Sequence, residues 1–195
     1  MAKQPSTKAQ EILQALARML EKSGGGRITT SALAAELGVS EAALYRHFPS
    51  KTRMYEGLID FIEETIFARV RGIVSDEPNA ITQCYRILSL VLAFAEKNPG
   101  ITRILNGDAL TGETERLHDR VAQLFDRLEA QLKQILREAE IRDGLKLQVP
   151  LSTAANLMLC CADGKISQYV RSQFRTPPTK DWQEQWQLLT AAMFA

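Results

Sequence analysis

Apolar positions recur along this chain every three to four residues, the period of a helix that buries one face. Ile12, Leu13, Leu16, Ala17, Met19 and Leu20 form the first stripe. The polar residues 1–6 precede it, Thr7 and Gln10 offer a capping box, and Ser23-Gly24-Gly25-Gly26 ends it. Leu33 and Leu37 mark a second, short stripe, and Leu44 and Phe48 a third, which Pro49 stops. Ser50 is a suitable cap for a longer helix from Lys51 to about Ser75, with Met54, Leu58, Phe61, Ile62, Ile66, Val70 and Ile73 at helical spacing. Phe61, Arg69 and Arg71 are not fully explained by that core stripe. Ile81 to Lys97 is apolar nearly all round, which predicts a central helix, and Asn98-Pro99-Gly100 closes it. A short helix follows from Ile101 to about Leu105, then a polar, mobile loop through Gly107, Asp108 and Thr111-Gly112. From Glu113 to Arg142, Leu117, Val121, Leu124, Leu128, Leu132 and Ile135 approximate a coiled-coil seam, better read as one long helix of a bundle. Leu151 to about Phe174 carries Ala154, Leu157, Met158, Cys161, Ile166, Tyr169 and Val170 on a broad apolar face. After Pro177-Pro178, Trp182, Trp186, Leu189 and Met193 outline a last helix from Asp181 to Phe194. With no strand pattern and no internal repeat, the prediction is an all-α chain.

The two short stripes and the glycine between them carry the functional signal. Gly38 stands where a chain leaving a helix needs a positive φ. Val39 is expected to bury in the elbow, Ser40 to cap the next helix, and Glu41 to sit at its positive end. A helix, a tight turn and a second helix make a helix-turn-helix, whose second helix can enter a DNA major groove. Small Ala42 and Ala43 allow close approach to base edges or a thymine methyl. Thr29, Thr30, Ser40, Tyr45, Arg46, His47, Lys51 and Thr52 complete the expected DNA-facing set, with hydroxyls and cations suited to phosphates. A plain helical hairpin is the competing reading.

Charge agrees with the first reading. The formal net charge is only +1, but residues 1–55 hold eight Lys or Arg against four acids, and the remainder sixteen against nineteen. A basic N-terminal third fits DNA contact there and another role beyond it. Cys84, Cys160 and Cys161 match no metal spacing or disulfide framework and are expected as buried reduced thiols, which points to the cytoplasm. No signal sequence and no apolar run long enough to span a membrane is present, so no membrane association is expected. Only two histidines occur, His47 and His118, neither beside a nucleophile or metal ligand, and adjacent Glu63 and Glu64 face different directions. No enzyme, cofactor or metal is expected.

The run GVSEAALYRHFPSKTRMYEGL resembles the TetR family of bacterial regulators, whose recognition helix ends in an aromatic-x-His-Phe motif and leads to a lysine, here Tyr45, His47, Phe48 and Lys51. The segments RITT, FIEE and NPGITRIL extend the resemblance to the nucleoid occlusion branch of that family. It implies a TetR-like fold, with a three-helix head over residues 1–50 and a helical body over 51–195 that dimerises through its last two long helices. It also implies a homodimer on palindromic double-stranded DNA, with higher assembly there, in a cytoplasmic, nucleoid-associated protein. The implied partner is the tubulin-like division protein FtsZ, whose tail would meet Phe61, Arg69, Leu90, Lys97 and Asn98. Ala93 departs from the branch, which has glycine there. The alternative is a ligand-gated repressor, whose body would enclose a small molecule.

Overall fold

A computed structural model of the chain describes residues 7–24 and 26–194; residues 1–6, Gly25 and Ala195 lie outside the described residues, and with them part of the expected glycine turn. Nine α-helices lie among the described residues: α1 Thr7–Lys22, α2 Thr30–Leu37, α3 Glu41–Tyr45, α4 Lys51–Asp76, α5 Ala80–Lys97, α6 Pro99–Asn106, α7 Glu115–Asp143, α8 Leu151–Arg171 and α9 Trp182–Ala191. The chain divides into two compact units. The first runs to Glu63 and takes in Asn98–Val121; the second comprises Glu64–Lys97 and the chain from Ala122 on. The division therefore falls inside α4 rather than at residue 50.

In the first unit, α1 buries Ile12, Ala15, Leu16 and Leu20, and Thr7, expected as a cap, is already helical. Thr29 caps α2, its Oγ1 accepting from the Ala32 amide at 3.1 Å. Gly38 ends that helix at φ 65°, and the amides of Gly38 and Val39 return to the carbonyls of Ala35 and Ala34. Val39 is half-buried rather than buried. Ser40 caps α3, accepting from the Ala43 amide at 3.3 Å. This helix stops at Tyr45, three residues short of Phe48. The cause is Pro49, which disfavours helical geometry at the residue before it; the amides of His47 and Phe48 both turn onto the Leu44 carbonyl at 3.0 Å. Ser50 caps α4 by accepting from the Arg53 amide at 3.2 Å.

Helix α6 starts at Pro99, a residue suited to a first helical turn, and lies against α1. A Cβ placed on Gly100 would stand 1.9 Å from the Ala17 carbonyl oxygen, so the two backbones approach as only glycine permits. The segment beyond α6 corrects the expected mobile polar loop. Asp108–Leu110 form a 3-10 turn, Leu110 is wholly buried, and Asp108 accepts a hydrogen bond at 2.6 Å from the buried Arg103 guanidinium.

In the second unit, α5 packs on α8. Ile87, Leu88, Leu92 and Ala95 are buried, as are Met158 and Ile166 of α8 and the α7 residues Leu124, Leu128, Leu132 and Ile135. Trp182 Nε1 donates to Ser89 Oγ at 3.0 Å, and the Tyr169 hydroxyl to the Glu96 carbonyl at 3.2 Å. Helix α8 ends at Arg171, not near Phe174, because Gln173 and Phe174 turn left-handed at φ 53° and 63°. Helix α9 ends at Ala191, and Phe194 instead bridges to Leu147. Two apolar expectations fail on α8: Leu157 is 45% exposed, and of the cysteines only Cys84 is buried, with Cys161 half-buried and Cys160 exposed. Burial pushes the Cys84 thiol up to about 12.

Candidate nucleic-acid interface

The first unit presents the start of α2 and all of α3 as one surface. Thr30 Oγ1 donates to Glu41 Oε2 at 2.7 Å, and the Tyr45 hydroxyl donates to Thr30 Oγ1 at 3.3 Å. Three side chains from two helices thus form a single hydrogen-bonded chain, which fixes how α3 sits on α2. Tyr45 is 43% exposed; Ala42, Arg46 and His47 are exposed, and Ala43 and Thr30 half-buried. Thr29 and Ser40 are exposed, and their hydroxyls act as caps. Thr30, Ala42, Ala43, Tyr45, Arg46 and His47 thus lie on α2, α3 and the turn that follows α3, in one unit. The hydroxyl protons of Tyr45 and Thr30 are already directed within the protein, so either must exchange a partner to donate to a phosphate.

The sequence offers Lys51 as a phosphate donor, and in the structure its Nζ lies 2.5 Å from Glu113 Oε1, with the two side chains 17% and 8% exposed. Its ammonium also stands 5.5 Å from the Tyr55 ring centroid. A carboxylate held in so little water requires its cation, which is why Lys51 turns inward. Burial, then the Glu113 charge, hold the Tyr55 hydroxyl well above its ordinary range. Thr52 is half-buried. Sequence spacing carries no sign of a lysine–glutamate pair sixty-two residues apart. Exposed Arg27, between the glycine run and α2, adds a cation to this unit.

These placements separate two effects. Tyr45→Ala should weaken DNA binding roughly tenfold while the melting temperature stays near the parent's, since an exposed ring adds little to the core. Lys51→Ala should instead lose about 1–3 kcal/mol of stability, because it strands Glu113. Thermal melts beside gel shifts measure both; an unchanged melt for Lys51→Ala would show that the pair contributes nothing.

The residues expected to meet a protein tail divide between the units. Phe61 is 45% exposed on α4 and Asn98 half-buried after α5, both in the first unit. In the second, Arg69 of α4 is exposed, Leu90 of α5 half-buried, and Lys97, the last residue of α5, exposed. Leu90 is thus not core. Elsewhere on the second unit, Phe67, Val70 and Arg71 of α4 and Arg127, Ala130, Gln131 and Gln134 of α7 line a broad open trough of about 390 Å³.

Comparison with known proteins bears on both units. A family described as bacterial regulatory proteins, tetR family, matches residues 12–58, and one described as the SlmA-like, tetracyclin repressor-like C-terminal domain matches residues 78–193. The chain is 60% identical over 176 residues to the nucleoid occlusion factor SlmA of Alteromonas mediterranea, covering 90% of each. It is 56% identical over 189 residues to that of Idiomarina loihiensis, covering 97% of this chain and 96% of the relative. Among solved structures, a TetR transcription regulator from Haloarcula marismortui matches at TM-score 0.80 with 19% identity, over 97% of this chain and 100% of that one. FadR of Bacillus subtilis, solved in complex with stearoyl-CoA, matches at 0.75 with 14% identity, over 94% and 98%. At such identities these two establish a shared fold alone.

Proposed function

The chain belongs to the nucleoid occlusion factors of the SlmA group within the TetR family, and from that membership we propose what it does on DNA. As a homodimer it grips palindromic chromosomal sites through Thr30, Ala42, Ala43, Tyr45, Arg46 and His47. On DNA it captures the tail of FtsZ and antagonises division-ring assembly over the nucleoid, in the cytoplasm. The observation that carries this reading is the similarity itself, 53–60% identity across head and body alike. The second unit offers exposed Arg69 on α4 and half-buried Leu90 and exposed Lys97 on α5. Such a surface suits an acidic, partly apolar peptide. A ligand-gated repressor would instead need an enclosed cavity in its body. The test is FtsZ polymer pelleting with the protein alone and with DNA that it selects from a genomic pool. Polymer loss only with both present supports the proposal; no loss in either case returns the ligand-gated repressor to first place.

Dimerisation has its own expected surface. Leu157 of α8 and Leu188 of α9, 45% and 75% exposed, are apolar groups left for a second copy to cover. Leu157→Glu with Leu188→Glu should shift sedimentation from dimer to monomer at micromolar concentration and cost at least tenfold in affinity for a palindrome. A dimer that survives both substitutions places the seam elsewhere. The head residues lie on the first unit and should still engage a half-site weakly.

A further inference from the structure

Glu41 is an acid on the exposed side of the recognition helix, where the attraction of phosphates for the protein disfavours one. Its place in the first turn of α3 accounts for part of its presence, since a carboxylate is favoured at a helix N-terminus. Its role in tying α3 to α2 does not need the charge: the side-chain oxygen of a glutamine would accept the Thr30 hydroxyl equally well. What only the carboxylate brings is an acceptor-only group, already aimed. Thr30 holds Oε2 at 2.7 Å, and Tyr45, one turn along the same helix, donates to Thr30 in turn. That second bond keeps Thr30's own proton directed at Glu41.

In the major groove an acceptor-only group can pair only with a donor. The donors there are the exocyclic amino groups, N4 of cytosine and N6 of adenine; guanine presents N7 and O6, and thymine O4, as acceptors that a carboxylate repels. We propose that Glu41 is a specificity-determining residue, which accepts a hydrogen bond from an exocyclic amino group of the site while its charge holds down affinity for unrelated DNA. Thr30 acts as its positioning residue. The inference rests on the DNA-binding role of the head. Pre-aiming matters because a free glutamate would lose rotamer freedom on docking, and one held by Thr30 has lost it already.

The test uses the full-length dimer, DNA that the parent selects from a random-sequence pool, and unrelated DNA of equal length. Affinities are measured for each single base-pair substitution of the selected site. For Glu41→Gln, affinity for the selected site should fall about tenfold or more, that for unrelated DNA should rise severalfold, and discrimination should vanish or change at one position per half-site. At that position the parent should demand cytosine or adenine, and the scan identifies which. Thr30→Val should relax the same position to a lesser degree, with the melting temperature of both variants checked. An unchanged ratio of selected to unrelated affinity in Glu41→Gln overturns the inference, as does a uniform loss at every position, the mark of a merely structural role. A parent that binds unrelated DNA as tightly as selected DNA fails earlier, and takes the DNA-binding reading of the head with it.

Discussion

Replacing Gly100 with alanine is expected to drive α6 off α1 and to unfold the first unit at a lower temperature. The added Cβ would stand 1.9 Å from the Ala17 carbonyl oxygen and 2.9 Å from both the Ala17 carbonyl carbon and the Glu21 amide nitrogen. All three are backbone atoms inside a helix, so no rotamer change relieves the overlap, and the helices must part by more than an ångström. That movement would loosen Ile101, Ile104 and Leu105, which are buried, and the buried Arg103 with its bond to Asp108. Overpacking costs ~1–3 kcal/mol where side chains can give way, so ~3 kcal/mol is a fair lower figure against backbone. For a chain of this size that is a fall in melting temperature of roughly 6–12 °C. Gly72→Ala on α4 is the control: its Cβ meets open space, and the substitution should leave stability unchanged or raise it by about 0.5–1 kcal/mol. Melting curves followed by circular dichroism decide the matter, and a Gly100→Ala melt within two or three degrees of the parent's would disprove the close approach. DNA affinity should fall as well, because α1 also packs on α2.

Gly100 also marks the limit of what the sequence discloses. In Asn98-Pro99-Gly100 it reads as a breaker, and nothing nearby says that a carbonyl from residue 17 will lie against it. The helix-turn-helix was legible because its signals are local: a cap at Ser40, a left-handed exit at Gly38, a proline at 49. The long stripe of α7 was legible because helical period alone predicts burial, and Leu117 to Ile135 are buried as spaced. Periodicity fails where the partner of a side chain lies far along the chain. Lys51 carries the same local pattern whether it faces a phosphate or Glu113, and only the fold chooses. It fails again on α8, where Leu157 and Cys160 belong to an apolar or small-residue pattern but remain uncovered by their own chain. A period reports that a face will be covered, not by which molecule. On α4 the sequence offers only a surplus: Phe61 and Arg69 are not fully explained by the core stripe, and each is exposed.

That surplus sets the second large expected effect. Arg69→Asp should nearly abolish capture of an FtsZ tail peptide by the DNA-bound protein and leave its DNA affinity unchanged. The tail is expected to be short, flexible and partly acidic, so each anchoring contact is a large share of a weak total. Losing one charge-assisted hydrogen bond costs about 1.5–3 kcal/mol, a roughly ten- to hundredfold loss of affinity. Aspartate adds repulsion to that loss, so the reversal should exceed the effect of Arg69→Ala. Lys97→Asp should act in the same direction, since Lys97 ends α5 two turns beyond Leu90, about 10 Å along one face. The substitution is a clean probe because Arg69 is exposed, so neither core packing nor folding depends on it. It belongs to the second unit, whereas Thr30, Tyr45, Arg46 and His47 belong to the first. The two activities should therefore separate: a gel shift like the parent's, beside lost anisotropy with a labelled tail peptide and intact FtsZ polymers. Equal peptide affinity in the parent and Arg69→Asp would remove Arg69 from the binding surface. Concurrent loss of DNA binding would show that one surface serves both partners.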